Sequence, residues 1–226
     1  MTETSPSISP RGMPRDEDWN RFWSRNFSAR PDAVSWSKRR IIRIIDEYAA
    51  PGKKALDAGC GSGFFSRHFC GRGMTTTAMD YADAALDITK AMTQGRARVV
   101  KADLLAEGLA GRVQDRFDLI FTDGLFEHFS ASQQDQIFRN LKSLLNSGGV
   151  IITFVPNRWS PWELIRPFFM PGIQETPFVM SQLLDLNQRN AMTVLRAGGV
   201  NTFPFAFSPD RLLGPRFGML LFSVSQ

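Results

Sequence analysis

A chain of 226 residues, 43% hydrophobic and 22% charged, has the length and composition of one well-packed globular domain. No run approaches the roughly 18 apolar residues of a membrane span, and two cysteines outside any Cys/His cluster argue against a disulfide framework or a zinc site. The net charge of +5 is concentrated in residues 1–54, where 11 Lys and Arg oppose 7 Asp and Glu. This basic segment either attracts an anionic partner, such as a lipid head group or RNA, or is a solvated helix face.

The first residues differ in composition from the rest. Residues 1–18 are rich in Ser, Pro and acidic side chains and contain no apolar core, which predicts a disordered leader rather than a secretory signal. We therefore expect a cytoplasmic protein whose single domain covers residues 19–226.

Helical and strand patterns alternate from residue 37 onwards. Ile41, Ile44 and Ile45 form the apolar face of a first helix, which Pro51-Gly52 ends. The predicted elements are, in order, a helix over 37–50, a strand over 54–58, a helix through 67–70, strand 74–79, helix 82–92, strand 97–102, a short helix over 104–111, strand 117–122, helix 132–145 and strand 150–155. This alternation predicts right-handed βαβ units, with a mostly parallel sheet between two helical layers.

The last part of the chain departs from this alternation. A helix over 181–197 precedes two predicted strands, 201–207 and 218–225. Because the ten residues between these strands are too few for a helical crossover, we predict an antiparallel pair.

A glycine-rich run, Gly59-Cys60-Gly61-Ser62-Gly63, directly follows the first strand. Glycines at a strand-to-helix turn let the backbone bend sharply and let a ligand approach closely. Gly63 comes one residue too early for the dinucleotide pattern G-x-G-x-x-G, in which Phe64 takes the place of the third glycine. No Lys-Ser/Thr follows, so the run is not a P-loop either.

Acidic residues follow the next two strands. Asp80 lies 21 residues after Gly59, where a carboxylate can accept two hydrogen bonds from a ribose diol. Asp103 ends the third strand, within reach of an adenine edge in such folds. These residues share the edge of the sheet at which open α/β sheets bind ligands. The alternative for Asp57, Asp80 and Asp103 is helix capping or turn formation.

As an ordered set, these motifs resemble those of class I methyltransferases. The matching residues are Asp57-x-Gly59-x-Gly61-x-Gly63, Asp80, Asp103, Phe117-Asp118-Leu119-Ile120 and Leu125-Phe126-Glu127-His128-Phe129. The resemblance implies a Rossmann-like α/β fold with a seven-stranded, mostly parallel sheet in the order 3-2-1-4-5-7-6, strand 7 antiparallel and helices on both faces. It implies S-adenosylmethionine as the cofactor. It also makes residues 19–50 an N-terminal helical cap and residues 156–180 an insertion on the substrate side.

The same resemblance assigns contacts with the cofactor. Asp57 would stabilise the loop or the cofactor ammonium, and Asp80 would hold the ribose hydroxyls. Thr122 and Asp123 would line the cleft. The predicted cofactor-binding residues are Asp57, Gly59, Gly61, Gly63, Asp80, Tyr81, Asp103, Leu104, Thr122 and Asp123, of which Tyr81, Asp103 and Leu104 belong beside the adenine.

The best candidate for a general base is His128, which follows the fourth strand. It serves alternatively to position the cofactor or to pack the loop, and Asp123 and Glu127 are further candidates. An amine or thiolate acceptor needs little beyond alignment, whereas a hydroxyl acceptor benefits from a base.

Aromatic residues concentrate before the core and after the fifth strand. Their rings could enclose an apolar acceptor, cradle a cationic amine, or simply pack as a lid on the sheet. The predicted substrate-binding residues are Trp19, Trp23, Trp159, Trp162 and Phe168. Membrane contact through the second aromatic region, with Arg158 and Arg166, is a further hypothesis.

Three functions remain open from the sequence. The leading hypothesis is methylation, without a metal, of a small apolar or lipid-like molecule at N or O. A nucleic-acid partner is disfavoured because Thr122-Asp123-Gly124-Leu125 stands where enzymes that methylate nucleic-acid amino groups carry Asn/Asp-Pro-Pro-Tyr. RNA or protein methylation and a non-catalytic cofactor-binding subunit are the alternatives.

Overall fold

A seven-stranded sheet in the order β3-β2-β1-β4-β5-β7-β6 organises the chain. The computed structural model describes residues 20, 23, 24, 34–169 and 175–226, so the predicted leader, residues 1–18, lies outside the described residues. The strand order implied by the resemblance is confirmed. Among the described residues, no helix combines the length and the hydrophobicity that crossing a bilayer requires. The expected cytoplasmic location and the domain boundaries stay predictions.

The elements have the following bounds. The strands are β1 (Lys54–Ala58), β2 (Thr75–Asp80), β3 (Arg98–Lys101), β4 (Phe117–Asp123), β5 (Leu145–Pro156), β6 (Val194–Val200) and β7 (Leu220–Ser225). The described helices are α1 (Trp36–Ile45), α2 (Phe64–Gly71), α3 (Asp83–Thr93), α4 (Leu109–Val113), α5 (Ala131–Ser143), α6 (Trp162–Phe169), α7 (Met180–Arg189) and α8 (Asp210–Phe217), with a short 3₁₀ turn over Phe126–His128.

Alternation along the strands divides the core into two layers. Successive strand residues point to opposite faces, so Ala55 packs into one apolar cluster and Leu56 into the other. Helix α1 covers the first layer with Ile41, Ile44 and Ile45, and α5 covers the second with a face that includes Leu141. Because β1, β2, β3, β4 and β5 run parallel, their carboxyl ends meet at one edge of the sheet.

The C-terminal part corrects one prediction and confirms another. The chain forms β6 at Val194–Val200, inside the segment predicted as helix, while the predicted strand over 201–207 is a loop followed by helix α8. The alternating phenylalanines of this loop resemble a strand pattern. The guanidinium of buried Arg40, however, donates hydrogen bonds to carbonyls of the loop, and these carbonyls do not pair with a neighbouring strand. The antiparallel pairing of the last two strands is confirmed, since β7 runs antiparallel to both β5 and β6.

Candidate functional site

A cleft of about 360 Å³ opens where β1, β2, β3 and β4 end. This volume lies in the range of pockets that bind small molecules. The lining residues come from the turns after these strands, from α1 and from the N-terminal segment. They are Trp23, Lys38, Asp57, Gly59, Cys60, Gly61, Ser62, Phe64, Phe65, Asp80, Tyr81, Ala102, Asp103, Leu104, Leu105, Phe121, Asp123, Gly124, Leu125, His128 and Phe129.

The glycine turn forms the floor of the cleft. Gly59 and Gly61 have φ angles of +76° and +49°, in the left-handed region that side chains other than glycine's rarely adopt. A Cβ atom on Gly59 would lie 3.3 Å from Cδ1 of Leu125, and one on Gly61 would overlap the ring of Trp23. The turn therefore presents bare backbone to the cleft, and Trp23 packs directly on it.

The carboxylate of Asp80 stands beside this turn. Its Oδ2 accepts a hydrogen bond from the backbone N–H of Gly61 at 3.1 Å, and its Oδ1 accepts one from Ala82 at 3.0 Å. Two backbone donors thus fix the side chain at the tip of β2, where it lines the cleft. A carboxylate held in this way retains lone pairs with which to accept further hydrogen bonds, the chemistry that a vicinal diol requires.

Asp57 is buried beneath the turn. It accepts a hydrogen bond from Oγ of Ser66 at 2.6 Å, and burial raises its pKa to about 7, although the bond from Ser66 acts in the opposite direction. A nearby cation would favour the ionised form of this carboxyl. The position therefore suits a ligand that brings positive charge to the turn.

A half-buried carboxyl, that of Asp123, and a lysine face the same cleft. Burial raises the pKa of Asp123 to about 6, and the charge of Lys38 partly offsets this effect. Burial lowers the pKa of Lys38, and its Nζ lies 3.9 Å from the ring centroid of Phe64. Lys38 was not predicted from the sequence, because its helix reaches the cleft only through tertiary packing. The pattern of the basic face of α1 gave no signal for it.

The opposite end of the cleft holds the residues predicted for adenine. Tyr81, Asp103 and Leu104 line it together with Leu105. Oδ1 of Asp103 accepts a hydrogen bond from the backbone N–H of Leu105 at 2.8 Å, so this carboxylate also shapes its own turn. The capping role considered for Asp103 and a ligand contact are therefore compatible.

His128 lines the cleft beyond Asp123, next to Leu125 and Phe129. Its Nε2 lies 3.9 Å from Oε1 of Glu127. Burial raises the pKa of Glu127 well above its ordinary value, and Oε2 of this side chain has no hydrogen-bond partner among the described residues. A histidine with a carboxyl neighbour can accept a proton, the role predicted for it.

A polar cluster lies behind His128. Glu127, His128 and Glu175 each offer a ligand atom, and these atoms lie within 4.8 Å of one another, so the three side chains could hold a cation. The guanidinium of Arg166 already supplies a counter-charge, since its Nε lies 2.9 Å from Glu175 and 3.1 Å from Glu163.

Several predicted site residues lie elsewhere. Gly63 faces α3, where a Cβ would approach the backbone of Thr89 to 2.7 Å, so this glycine shapes the turn and does not line the cleft. Thr122 is fully buried in the sheet. Trp159, 63% exposed in the turn before α6, and Trp162, half-buried at the start of α6, are not among the residues that line the cleft. Trp19 and the side chain of Phe168 lie outside the described residues.

Comparison with known proteins shows similarity to methyltransferases. Residues 55–149 match the family model described as "Methyltransferase domain". A ubiquinone biosynthesis O-methyltransferase of Pseudomonas putida is 26% identical over 140 residues, which are 62% of this chain and 59% of that protein. A protein of the same description from Stutzerimonas stutzeri is 24% identical over the same lengths. The chain thus spans about three fifths of the length of the curated relatives it matches.

Solved structures share the fold. The N-methyltransferase NodS of Bradyrhizobium japonicum, solved with S-adenosyl-L-homocysteine, has a TM-score of 0.67 at 14% identity and covers 92% of this chain and 96% of its own. A TehB-like S-adenosylmethionine-dependent methyltransferase of Corynebacterium glutamicum has a TM-score of 0.63 at 20% identity, covering 93% and 97%. Residues 55–149 are therefore similar to a methyltransferase domain, and the sheet that carries them has the fold of these solved methyltransferases.

Proposed function

We propose that the protein transfers a methyl group from S-adenosylmethionine to an oxygen or nitrogen of a small, largely apolar molecule. The observation that carries the proposal is the meeting of the bare glycine turn and the Asp80 carboxylate at neighbouring strand ends of one cleft. The matching methyltransferase domain and relatives named as O-methyltransferases support it.

The side chains of the cleft fit the chemical groups of this cofactor. Asp80 can accept hydrogen bonds from both hydroxyls of a ribose, and the partly desolvated acids Asp57 and Asp123 suit an ammonium group. Lys38 can pair with a carboxylate, which would relieve the desolvation that lowers its pKa. The presence of both acidic and basic side chains in the cleft supports the binding of a zwitterionic amino acid joined to a nucleoside.

The bound donor supplies a methyl group that is already activated by its sulfonium centre, so the protein must mainly align an acceptor. Alignment of this kind can contribute roughly 7–11 kcal/mol. Leu125 and Phe129 give the cleft apolar walls beside His128, which would exclude water from a bound acceptor. For a hydroxyl acceptor, His128 would take the proton as the oxygen–methyl bond forms and later release it to solvent.

A small acceptor is favoured over a macromolecule by the walls of the cleft. The cleft of about 360 Å³ is bounded on the N-terminal side by Trp23 and on the other by His128 and Phe129. With the cofactor bound, the remaining space would suit a small aromatic alcohol or amine better than a macromolecule, and the lining is both apolar and polar. Methyl transfer to RNA, methyl transfer to protein and the absence of any transfer are the competing outcomes of the experiment.

The experiment combines calorimetry with a transfer assay. We expect S-adenosyl-L-homocysteine to bind the purified protein, and Asp80→Asn to weaken this binding by about 1–3 kcal/mol, the scale of a lost charge-assisted hydrogen bond. Asp83→Asn is the matched control, because Asp83 is exposed on α3 and pairs with Lys101 away from the cleft. Circular dichroism establishes that both variants fold.

Transfer is then measured with methyl-labelled donor and a cell extract separated into small molecules, RNA and protein. Label in the small-molecule fraction supports the proposal, and a His128→Ala variant that loses transfer to phenols while retaining donor binding supports an oxygen acceptor. Label only in RNA or protein contradicts the small-molecule assignment. Unchanged affinity in the Asp80 variant contradicts the cofactor site itself.

A further inference from the structure

The segment between β6 and α8, residues 201–208, is held from inside by one arginine; we call it the aromatic loop. Arg40 of α1 is 9% exposed and donates to Oδ1 of Asn201 at 3.0 Å and to the carbonyls of Phe203, Phe205 and Ala206. Its Nε pairs with Asp210 at 3.2 Å. A buried cation is thus engaged wholly in fixing the backbone of a surface loop, which makes the loop a built feature of the fold.

Part of the polar backbone of the aromatic loop is hydrogen-bonded within the protein. Oδ1 of Asp210 accepts from the N–H of Thr202 at 2.8 Å and from Oγ of Ser208, and that hydroxyl accepts from the N–H of Phe203 at 2.9 Å. Carbonyls turn inward to Arg40 while side chains turn outward. These bonds reduce the number of backbone groups that would lose a hydrogen-bond partner if the loop entered an apolar medium.

The side chains that turn outward are phenylalanines. Phe203, Phe205 and Phe207 are 43%, 68% and 76% exposed. Large aromatic side chains are usually buried, and three of them alternating along one exposed loop form a contiguous apolar tip.

Helix α8 extends this apolar surface. Its only buried residue is Gly214, which packs against the backbone of Gly199 in β6. Because a glycine contact attaches the helix to the sheet, its apolar residues are left on the outside, and Leu212 is 82% exposed. Leu213 and Phe217 are also exposed. The helix thus presents its hydrophobic residues to the surroundings and not to the core.

Positive charge surrounds the apolar tip. Arg211 and Arg216 lie on α8 and form no ion pair with a described residue, while the single acid of residues 201–217, Asp210, is neutralised by Arg40. Arg39 and Arg43 are exposed on the adjoining helix α1. Apolar side chains that protrude from a basic surface are the combination that inserts into the interface of an anionic bilayer.

We propose that the aromatic loop and α8 dock the protein on an anionic lipid surface, with Phe205, Phe207 and Leu212 inserted among the lipids. The positive charge of the surrounding arginines favours a lipid surface over a second copy of this chain as the binding partner, because two such basic surfaces would repel each other. Helix α1 connects the docking surface to the cleft, since Lys38 lines the cleft and Arg40 anchors the loop two residues later. Docking would bring the cleft close to molecules dissolved in the membrane.

The test is flotation of the purified full-length protein with vesicles of phosphatidylcholine alone and with about 30% phosphatidylglycerol. We expect binding to the anionic vesicles, reduced by high salt. The double variant Phe205→Ser/Phe207→Ser should bind roughly tenfold less or weaker still, and Arg211→Gln/Arg216→Gln should weaken binding and its salt dependence. Since these side chains are exposed, thermal unfolding should match that of the unmodified protein.

Leu164→Ser provides the matched control. Leu164 is 79% exposed on α6, the other apolar surface and the one for which the sequence suggested membrane contact. Retained binding in this variant supports the aromatic loop as the docking site. Loss of binding in Leu164→Ser but not in the phenylalanine variant would overturn the proposal in favour of α6. Lack of binding by the unmodified protein, or a dimer in analytical ultracentrifugation that the phenylalanine variant dissociates, would also overturn it.

Discussion

Asp57 gives the folded state a defined dependence on pH. Its folded-state pKa of about 7 lies above the ordinary value of 3.8, because burial disfavours the charge. The stability that this group contributes is therefore fully present below about pH 4 and is lost as the pH rises to about 7. We expect the stability of Asp57→Asn, which keeps an acceptor for Ser66, to increase relative to that of the unmodified protein as the pH rises through this window, by an amount on the order of 4 kcal/mol.

Denaturant unfolding of both proteins at several pH values measures this gain. Asp118→Asn is the control of opposite sign, because the hydrogen bond from the backbone of Lys54 holds the pKa of Asp118 below its ordinary value. That group contributes stability which is lost as the pH falls. Parallel stability curves for Asp57→Asn and the unmodified protein would contradict the burial of an ionisable group beneath the glycine turn.

Among the residues of the cleft, those at strand ends were predicted from their spacing along the chain, whereas those that reach the cleft through tertiary packing were not. Asp57, Gly59, Gly61, Asp80 and Asp103 line the cleft because a parallel sheet places successive strand ends at one edge. Lys38 reaches the cleft from a helix whose basic face looks solvated in the sequence. The aromatic content after β5 suggested acceptor contacts for Trp159 and Trp162, yet composition cannot tell whether the segment that carries them lines the cleft.

Among the elements, the contact between α8 and β6 depends on two glycines. A Cβ on Gly214 would overlap the backbone carbonyl of Gly199. Because this carbonyl belongs to the backbone, it cannot rotate away as a flexible side chain could. We expect Gly214→Ala to destabilise the protein by about 2–4 kcal/mol through overpacking. Gly111→Ala, in α4 with open space at its Cβ, should instead be neutral or stabilise by up to about 1 kcal/mol. Urea unfolding of both variants compares them, and equal effects would contradict a close helix–strand contact.

The elements themselves were predictable where periodicity and turn residues agree. The strand over 54–58 and the antiparallel character of the last pair were predicted from the sequence. The prediction failed over 201–207, where alternating phenylalanines suggested a strand. What decides the outcome there is Arg40, 161 residues earlier in the chain than Asn201, which binds the loop carbonyls that a neighbouring strand would otherwise use. The local sequence pattern of residues 201–207 gives no indication of this distant partner.

At the scale of the whole molecule, the cleft joins the tips of four strands, so a ligand that fills it should stabilise the entire fold. A ligand at about 100 times its dissociation constant adds roughly 2.7 kcal/mol, and a chain of this length shifts its Tm by about 2–4 °C for each kcal/mol. We therefore expect S-adenosyl-L-homocysteine to raise the Tm in calorimetry by roughly 5–10 °C. NADH, whose pyrophosphate needs a glycine at the position that Phe64 occupies, should leave the Tm unchanged under the same conditions. The reverse result, a higher Tm with NADH and an unchanged Tm with S-adenosyl-L-homocysteine, would mean that the glycine turn and Asp80 bind a dinucleotide.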